Sequence, residues 1–333
     1  MMKQRMLRKL KHLAAIAGIT VMAAFLTSCD GDGGKIADGI MDEVVKPAAK
    51  DIMDEVVKPA AREVLGDVVN GIKGEEETAG AVLEGGSFEV HFIDVGQADA
   101  ALILCDGESM LIDGGNAGDS SLIYAYLEEE QVDVLDYIVC THAHEDHVGG
   151  LSGALNYAQA EVALAPVTDY DSKAFRNFVK NLNRQGAAIT VPEAGDSFSL
   201  GSAQVMVVGP ISPSDEPNNT SIVLKVTYGE TSFLFTGDAE REEEQEILDA
   251  GYNLESTVLK VGHHGSNTSS SYPFLREVMP EYAVISVGRD NDYGHPSEEV
   301  LSRFRDLGAE VYRTDEMGHI VCSSDGKTVT FER

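Results

Sequence analysis

Cysteine is scarce in this chain, and its scarcity argues against a disulfide framework. Only Cys29, Cys105, Cys140 and Cys322 occur among 333 residues. The last three lie in apolar runs typical of strands, and an odd number cannot pair completely within one chain. We therefore predict that these three are small buried residues. Cys140 keeps an alternative role as a metal ligand, because it lies close to His142.

Basic residues are also few. The chain has 25 Lys and Arg against 56 Asp and Glu, which gives a formal net charge of −31 at pH 7. Phosphate backbones need cationic partners, so this balance argues against an extensive nucleic-acid-binding surface. It still allows a local site in which bound metal ions supply the positive charge.

The apolar run near the N-terminus, from Leu13 to Leu26, is shorter than the roughly 20 residues that span a bilayer. It follows a positively charged start between Lys3 and Lys11, an order typical of a secretory signal peptide. The segment that ends at Cys29 resembles a bacterial lipobox, which implies cleavage before the cysteine and its lipidation. We predict a lipoprotein signal peptide over residues 1–28 and an extracytoplasmic, membrane-anchored protein. A free thiol beside a membrane helix is the alternative.

A duplicated segment separates this anchor from the rest of the chain. Residues 40–50 recur, almost unchanged, as residues 52–62. Two copies are too few for a solenoid, and each is typical of a short amphipathic helix interrupted at its proline. Residues 71–86 are rich in Gly and Glu and indicate a flexible linker. We predict a tether over residues 29–86, acting either as a spacer or as a helix for association.

Residues 87–333 have the pattern of one α/β domain. Short apolar, β-branched runs alternate with helical patterns, and Thr227–Thr231 is typical of a hairpin turn. This order fits two sheets packed face to face with helices outside, although periodicity alone supports several α/β folds. The predicted helices are Ser120–Glu130, Val148–Ala158, Lys173–Gln185, Glu240–Ala250, Pro273–Glu277 and Glu298–Leu307.

The densest group of potential metal ligands is His142, His144, Asp146 and His147, in the order His-x-His-x-Asp-His. Imidazole and carboxylate are ligands that Zn²⁺ and related divalent ions take. Alternate residues of an extended loop point the same way, so His142 and His144 can bind one ion. Asp146 and His147, at the start of a helix, can face a second ion. Two ions about 3.5–4 Å apart form a hydrolytic centre.

The sequence resembles the metallo-β-lactamase superfamily, and in particular the hydrolase domain of ComEC-type competence proteins and its stand-alone relatives. The resemblance covers roughly residues 87–333 and implies a four-layer αββα sandwich with metal ions at one edge, between the sheets. Besides the His-x-His-x-Asp-His motif, the segments that carry it are Phe92–Ala100, Leu111–Gly115, Phe235–Asp238, Val261–Ser266 and Tyr293–Ser297.

The same resemblance implies the remaining ligands. Asp238, at the end of a buried strand, would bridge two ions. Of the adjacent His263 and His264, one would join Asp146, His147 and Asp238 around the second ion. We favour His263 as the ligand and His264 as a hydrogen-bond donor to a substrate oxygen.

Three further residues are predicted to support this site. Asp94 and Asp113 are expected behind the ligands, where a carboxylate orients a ligand without binding the metal. His295 precedes a helix, where an imidazole can meet an anionic oxygen. We predict that His295 binds substrate or protonates the leaving group, with a surface histidine as the alternative. The predicted catalytic residues are thus Asp146, His264 and His295.

No histidine occurs between His147 and His263. Many members of the superfamily place a third imidazole of the first site there, whereas this chain has Asn218–Ser221. The first site would then hold His142, His144 and Asp238, completed by solvent or an amide. Fewer imidazoles should weaken it and favour Mn²⁺ over thiophilic metals. This departure also counts against a true β-lactamase.

The predicted function is metal-dependent hydrolysis by metal-activated hydroxide, with one or two Zn or Mn ions. The expected substrate is a phosphodiester outside the cytoplasm, either single-stranded DNA or a smaller ester such as a phosphocholine or teichoic-type ester. A lactonase or β-lactamase activity is an alternative. Two further alternatives are a non-catalytic, metal-stabilised binding lipoprotein and a purely structural tether. No stable protein partner is implied.

Overall fold

The computed structural model describes residues 86–332. The predicted signal peptide, the lipid on Cys29 and the predicted tether lie outside the described residues. The strands are β1 Phe88–Phe92, β2 Ala101–Cys105, β3 Glu108–Ile112, β4 Val134–Val139, β5 Gln159–Leu164, β6 Ile189–Thr190, β7 Ser197–Leu200, β8 Ala203–Gly209, β9 Val223–Tyr228, β10 Thr231–Phe235, β11 Val258–Lys260, β12 Tyr282–Ile285, β13 Glu310–Arg313, β14 Ile320–Ser324 and β15 Val329–Glu332. The helices are α1 Ser120–Glu129, α2 Glu145–Val148, α3 Leu151–Tyr157, α4 Lys173–Gln185, α5 Arg241–Ala250, α6 Tyr272–Val278, α7 Glu298–Leu307 and α8 Thr314–Met317.

The described strands form two mixed sheets. The eight-stranded sheet has the order β15-β14-β1-β2-β3-β4-β5-β6, and the seven-stranded sheet has the order β13-β12-β11-β10-β9-β8-β7. Strands β3 to β6 are parallel, as are β10 to β13. The carboxyl ends of parallel strands gather the loops that follow them at one edge, which is where ligand sites form in such sheets.

Because side chains alternate between the two faces of each strand, the apolar side chains form three clusters, one between the sheets and one on the outer face of each sheet. Phe92 and Phe235 belong to the core between the sheets. Phe178 of α4 packs in a cluster on the outer face of the eight-stranded sheet, and Phe304 of α7 does so on the seven-stranded sheet. The predicted αββα sandwich is therefore confirmed. Among the described residues, no helix is both long and apolar enough to cross a membrane.

The predicted helices are largely confirmed, and the exception lies beside the site. α4 and α7 have the predicted bounds, whereas the predicted helix Val148–Ala158 is replaced by α2 and α3, which are separated by two glycines. A Cβ on Gly150 would lie 1.8 Å from Gly114 O, so the absence of a side chain lets these two loops pack backbone to backbone. Gly150 N donates to Gly115 O at 3.0 Å and fixes this contact.

Two further predictions concern strands. The predicted hairpin is confirmed, because Tyr228 pairs with Thr231 and leaves two residues in the turn. Strand β7 was missed, since its Ser-Phe-Ser-Leu sequence carries little β signal by itself. Pairing with β8 is what makes it a strand.

Candidate metal centre

Four ligand-type side chains from both sheets converge at the edge where the parallel strands end. Asp146, His147, Asp238 and His264, called here the mixed cluster, each place one ligand atom within 4.8 Å of the others. His147 Nε2 lies 3.3 Å from Asp238 Oδ1, and His264 Nε2 lies 3.3 Å from Asp146 Oδ2. Two imidazoles thus face two carboxylates in a site that is buried except at Asp146.

Two buried atoms of the mixed cluster have no hydrogen-bond partner among the described residues. His147 Nε2 and Asp238 Oδ1 are buried and make no hydrogen bond of acceptable geometry. Leaving a buried polar atom unpaired costs about 1–3 kcal/mol. A divalent cation held between them would satisfy both, and imidazole with carboxylate is a suitable donor set. The residues present therefore fit a divalent metal ion.

A second group, His142 and His144, lies beside this cluster and is called here the histidine pair. His142 Nε2 lies 3.1 Å from His144 Nδ1 and 3.9 Å from Asp238 Oδ2. Burial lowers the pKa of His142 well below its usual value, with the neighbouring His147 acting in the same direction. His142 is therefore neutral, which a metal ligand requires.

Asp238 lies between the two groups. Its Oδ1 faces His147, while its Oδ2 lies 3.9 Å from His142 and also 3.9 Å from His264. Burial alone would raise the pKa of Asp238, but His147 and His264 outweigh it and lower that pKa well below its usual range. A permanently ionised carboxylate thus stands where it can contact cations in both groups.

The loop that carries Asp238 is shaped by small residues. Gly237 has φ +51°, and a Cβ there would lie 2.9 Å from Ser221 Oγ and 3.0 Å from Thr141 Cβ. Ser221 Oγ accepts a hydrogen bond from Asp238 N at 3.0 Å and lies 3.5 Å from His142 Nδ1. Glycine is therefore required for both the backbone conformation and the close approach of the two sheets.

Asp113 holds His147 from behind, which is the geometry that its predicted orienting role needs. Asp113 Oδ2 lies 2.8 Å from His147 Nδ1, and Thr141 donates to both carboxylate oxygens, from Oγ1 at 2.7 Å and from N at 2.8 Å. Burial would lower the pKa of His147, but Asp238 and Asp113 outweigh it and raise that pKa well above its usual value. The contact fixes the ring orientation and leaves Nε2 toward the site.

His263 and His264 have an unusual backbone. Their φ angles are +50° and +54°, in the left-handed region that non-glycine residues seldom adopt. Such strain persists where the surrounding structure imposes it, and it is concentrated at functional sites. Here it turns two adjacent imidazoles in different directions: His264 is buried inside the cluster, whereas His263 is partly exposed.

His264, and not His263, belongs to the mixed cluster, which is the reverse of the assignment favoured from the sequence. His264 Nε2 faces Asp146 and its Nδ1 lies 3.1 Å from Ser286 O, so it is the imidazole that joins the mixed cluster. His263 is not part of that cluster, although its Nε2 lies 3.7 Å from Asp238 Oδ2. The reason is the left-handed turn, which sequence patterns do not reveal.

The third predicted catalytic residue, His295, lies close to this centre. His295 lies at the mouth, with its Nδ1 3.4 Å from Gln97 Nε2 and its ring centroid 5.8 Å from that of His263. Burial, with help from His263 and His264, lowers the pKa of His295 to about 4. His295 is therefore uncharged at neutral pH, and it suits hydrogen bonding better than service as a protonated acid.

The structure gives two of the predicted residues different roles. Asp94 was expected to orient a ligand, but its Oδ1 accepts a hydrogen bond from Gly96 N, so it shapes its own loop. An amide of Asn218–Ser221 was expected, as one of two possibilities, to complete the first site; the amide of Asn219 is already engaged there, because its Oδ1 accepts from Glu240 N at 3.0 Å. In both cases a backbone N–H donates to the side-chain oxygen, from two residues away for Asp94 and from the start of α5 for Asn219.

The remaining cysteines behave as predicted. Cys105, Cys140 and Cys322 are free and buried. Cys140 Sγ donates to His142 O at 2.9 Å, and burial raises the pKa of this thiol well above its usual value. It is therefore a protonated thiol that supports the ligand loop, and the alternative role as a metal ligand is not favoured.

Sequence reasoning missed two charged residues of the site. Lys260 Nζ lies 2.7 Å from Asp99 Oδ2, and Asp99 Oδ1 lies 3.3 Å from His264 Nδ1. One signal was available: a lysine at the end of the apolar strand that leads into the histidines.

Comparisons with known proteins show the family to which the chain belongs. Residues 93–289 match the family model of the Metallo-beta-lactamase superfamily. ComE operon protein 3 of Bacillus subtilis (strain 168) is 30% identical over 262 residues, which cover 73% of this chain and 34% of that protein. Competence protein ComA of Neisseria gonorrhoeae is 33% identical over 231 residues, which cover 68% and 30%. The chain thus spans about a third of the length of these relatives.

Among solved structures, the metallo-beta-lactamase fold protein YhfI from Bacillus subtilis is similar, with a TM-score of 0.46 and 14% sequence identity. The likeness covers 68% of this chain and 96% of that chain. On the match of residues 93–289, this chain belongs to the metallo-β-lactamase superfamily, as a metal-dependent hydrolase with competence-related homologues.

Proposed function

We propose that the protein is a phosphodiesterase that acts outside the cytoplasm. The observation that carries this proposal is the position of Asp238, whose two oxygens face separate imidazole groups. Sites that hold two cations side by side are typical of enzymes that cleave phosphate esters. The resemblance to ComEC-type hydrolase domains supports the same substrate class.

The ligands are assigned from the geometry. The mixed cluster would hold one ion, and the histidine pair with Asp238 would hold another. His263 is the candidate to complete the second of these, because its Nε2 faces Asp238 while Thr268 Oγ1 lies 3.1 Å from its Nδ1. Zn²⁺ and Mn²⁺ are the proposed ions, and when bound they would lower the pKa of water and polarise the phosphate.

The chain's own residues then do the positioning. Asp146 is half-buried at the mouth. Burial would raise its pKa, but the contact with His264 and the charge of His147 outweigh burial and lower that pKa, so the carboxylate can accept a hydrogen bond from the attacking water. His295, uncharged at neutral pH, can donate a hydrogen bond to a phosphate or leaving-group oxygen. His264 is proposed as a ligand and no longer as the donor.

One exposed ring supports single-stranded DNA as the substrate. Tyr293 is 74% exposed, and it lies 5.7 Å from His295 between ring centroids, with the rings 24° from parallel. An exposed aromatic ring at the mouth of a phosphodiester site can stack on a nucleobase, which is worth about 1–3 kcal/mol. We expect Tyr293→Ala to lower kcat/KM for single-stranded DNA about tenfold and Tyr293→Phe to preserve it. Equal rates for the two variants would exclude a stacking role.

Location and anchoring are proposed from the sequence. A lipid on Cys29 would tie the protein to a membrane, with the region between residues 29 and 86 as the tether. Metabolic labelling with a fatty-acid analogue checks this: labelling should disappear in Cys29→Ser.

The deciding experiment uses the full-length protein stripped of metal. Mn²⁺ or Zn²⁺ is titrated back while cleavage of bis-p-nitrophenyl phosphate and of labelled single-stranded DNA is followed, with nitrocefin as a counter-screen. We expect metal-dependent phosphodiester cleavage, which His144→Ala reduces. His319→Gln, a change at an exposed histidine, is the matched control and should remain active.

Other results would overturn the proposal. Cleavage of nitrocefin or a lactone without phosphodiester cleavage would identify a different hydrolase of the same superfamily. Full metal occupancy without turnover of any substrate would favour a binding lipoprotein.

A further inference from the structure

A lysine and an aspartate are buried together beneath the mixed cluster. Lys260 and Asp99 are each 4% exposed, and Lys260 Nζ donates to Asp99 Oδ2 at 2.7 Å and to Val261 O at 3.0 Å. Asp99 precedes β2 of the eight-stranded sheet, whereas Lys260 ends β11 of the seven-stranded sheet. The ion pair therefore joins the two halves of the sandwich directly behind the site.

Strand alternation explains why this lysine points inward. Val258 belongs to the core between the sheets, and Leu259 belongs to the cluster on the outer face. Lys260 is the next residue, so its side chain enters the space between the sheets, as that of Val258 does. Packing alone does not require a charged pair here, because replacing both partners of a buried ion pair with apolar residues often leaves stability unchanged or improved.

Asp99 contacts one residue of the mixed cluster from each sheet. Its Oδ1 lies 3.3 Å from His264 Nδ1 and makes no hydrogen bond of acceptable geometry. Its backbone N donates to Asp146 O at 3.1 Å, and its carbonyl accepts from Gly115 N at 2.8 Å. The residue therefore links the ligand loop of one sheet to the histidine of the other.

The inner carboxylates would attract a cation themselves. Asp99, Asp113 and His147 each place a ligand atom within 4.8 Å of the others, which is a potential cation site. The ammonium of Lys260 supplies a positive charge there from within the chain. Asp99 is thereby held as a paired carboxylate, close to His264.

We propose that Asp99, held in place by Lys260, is a positioning residue that orients His264 for metal binding. Asp113, supported by Thr141, takes the comparable place behind His147, although at 2.8 Å its contact is closer than the 3.3 Å between Asp99 and His264. Asp99 and Ser286 O both face Nδ1 of His264, which keeps the proton on that nitrogen and leaves Nε2 for the ion. This inference rests on the proposed role of His264 as a metal ligand.

The test measures Co²⁺ affinity, visible absorption and thermal stability on the metal-free full-length protein. Asp99→Asn keeps the size of the side chain but removes the charge beside His264. We expect it to weaken Co²⁺ binding about 10–100-fold and to alter the visible spectrum of bound Co²⁺. Asp106→Asn is the matched control, because Asp106 is a hydrogen-bonded carboxylate at the opposite end of β2. It should bind Co²⁺ as the unchanged protein does.

A double variant separates positioning from stability. Lys260→Met alone leaves a buried carboxylate unpaired and should destabilise the fold. Asp99→Asn combined with Lys260→Met removes both charges, so thermal stability should recover while Co²⁺ affinity stays low. If affinity recovers together with stability, or if Asp99→Asn binds Co²⁺ normally, the pair is only a structural bridge and the proposal is overturned. Should Lys260→Met not fold, the other two variants still decide.

These outcomes are independent of the phosphodiesterase proposal. Weak Co²⁺ binding by Asp99→Asn, in a protein that cleaves no phosphodiester, would retain the positioning pair and reject the activity. Phosphodiester cleavage with unchanged affinity in Asp99→Asn would do the reverse.

Discussion

The eight-stranded sheet presents its ligands from one continuous loop, whereas the seven-stranded sheet presents them from the ends of two different strands. His142 to His147 follow β4 within a few residues. Asp238 follows β10, and His264 follows the neighbouring β11. The first arrangement is local in sequence, and the second exists only when two parallel strands lie side by side.

The two halves also stabilise their ligands differently. On the eight-stranded side, Gly114 and Gly150 pack backbone to backbone, and Asp113 holds His147 through a short contact. On the seven-stranded side, His264 has a left-handed backbone and lies beside the buried ion pair of Lys260 with Asp99. Close packing thus fixes one half of the site, whereas backbone strain and buried charge fix the other.

The largest expected effect is at Asp238, the residue that serves both groups. Asp238→Asn removes the charge shared by His142 and His147, and we expect kcat/KM to fall about 10³-fold, or roughly 4 kcal/mol in the barrier. Metal content should fall as well. Asp249→Asn, on the exposed side of α5, is the control and should leave both unchanged. A smaller loss than in His144→Ala would contradict the bridging position.

Gly150→Ala tests the packing of the eight-stranded half. Its Cβ would lie 1.8 Å from Gly114 O, so one of the two loops must move, at a cost of roughly 3 kcal/mol in the free energy of unfolding. Gly118→Ala is the matched control, since nothing lies within 4 Å of a Cβ there. Chemical denaturation measures both. Equal stability of the two variants would mean that the glycine contact is not required.

The seven-stranded half also has a buried carboxylate away from the ligands. Burial raises the pKa of Glu243 from 4.5 to about 7, although the backbone N–H of Ile211 opposes the shift. Because the pKa of Glu243 is higher in the folded state than in the unfolded state, ionisation of this carboxyl lowers the free energy of unfolding. The contribution of Glu243 to stability is fully present below about pH 4.5 and is lost as the pH rises through 7. Glu243→Gln should therefore gain roughly 2 kcal/mol over the unchanged protein at pH 8 and nothing at pH 4.

Thermal unfolding across this pH range measures the gain. Glu242→Gln, an exposed change on the same helix, should show no such pH-dependent difference. A gain that is constant with pH would show that the Glu243 carboxyl does not titrate in this window.

The smallest expected effect is at Thr141, which supports Asp113. Thr141→Val removes the hydroxyl that donates to Asp113 Oδ2 but keeps the backbone N–H that donates to Oδ1. Metal affinity should fall about tenfold, as is typical when a residue behind a ligand is changed. Thr190→Val, at an exposed position of β6, is the control. An affinity equal to that of the control would show that the N–H alone suffices.

Much of this could be predicted from the sequence. The ligand loop was apparent because His142, His144, Asp146 and His147 lie within six residues of one another, and α4 and α7 because polar caps and apolar periodicity mark them. The break between α2 and α3 could not be predicted, because the need for glycine there arises only from the close packing against the backbone of Gly114 in the folded protein.

The sequence by itself determined that His142, His144, Asp146 and His147 lie close together, because neighbours on one short segment cannot separate when the chain folds. Only the tertiary structure decided that His264 faces Asp146 while His263 turns outward, and that Lys260 meets Asp99. The physical reason is the same in both cases: each contact forms across the two sheets, and its geometry depends on strand register and on a left-handed turn that local propensity disfavours.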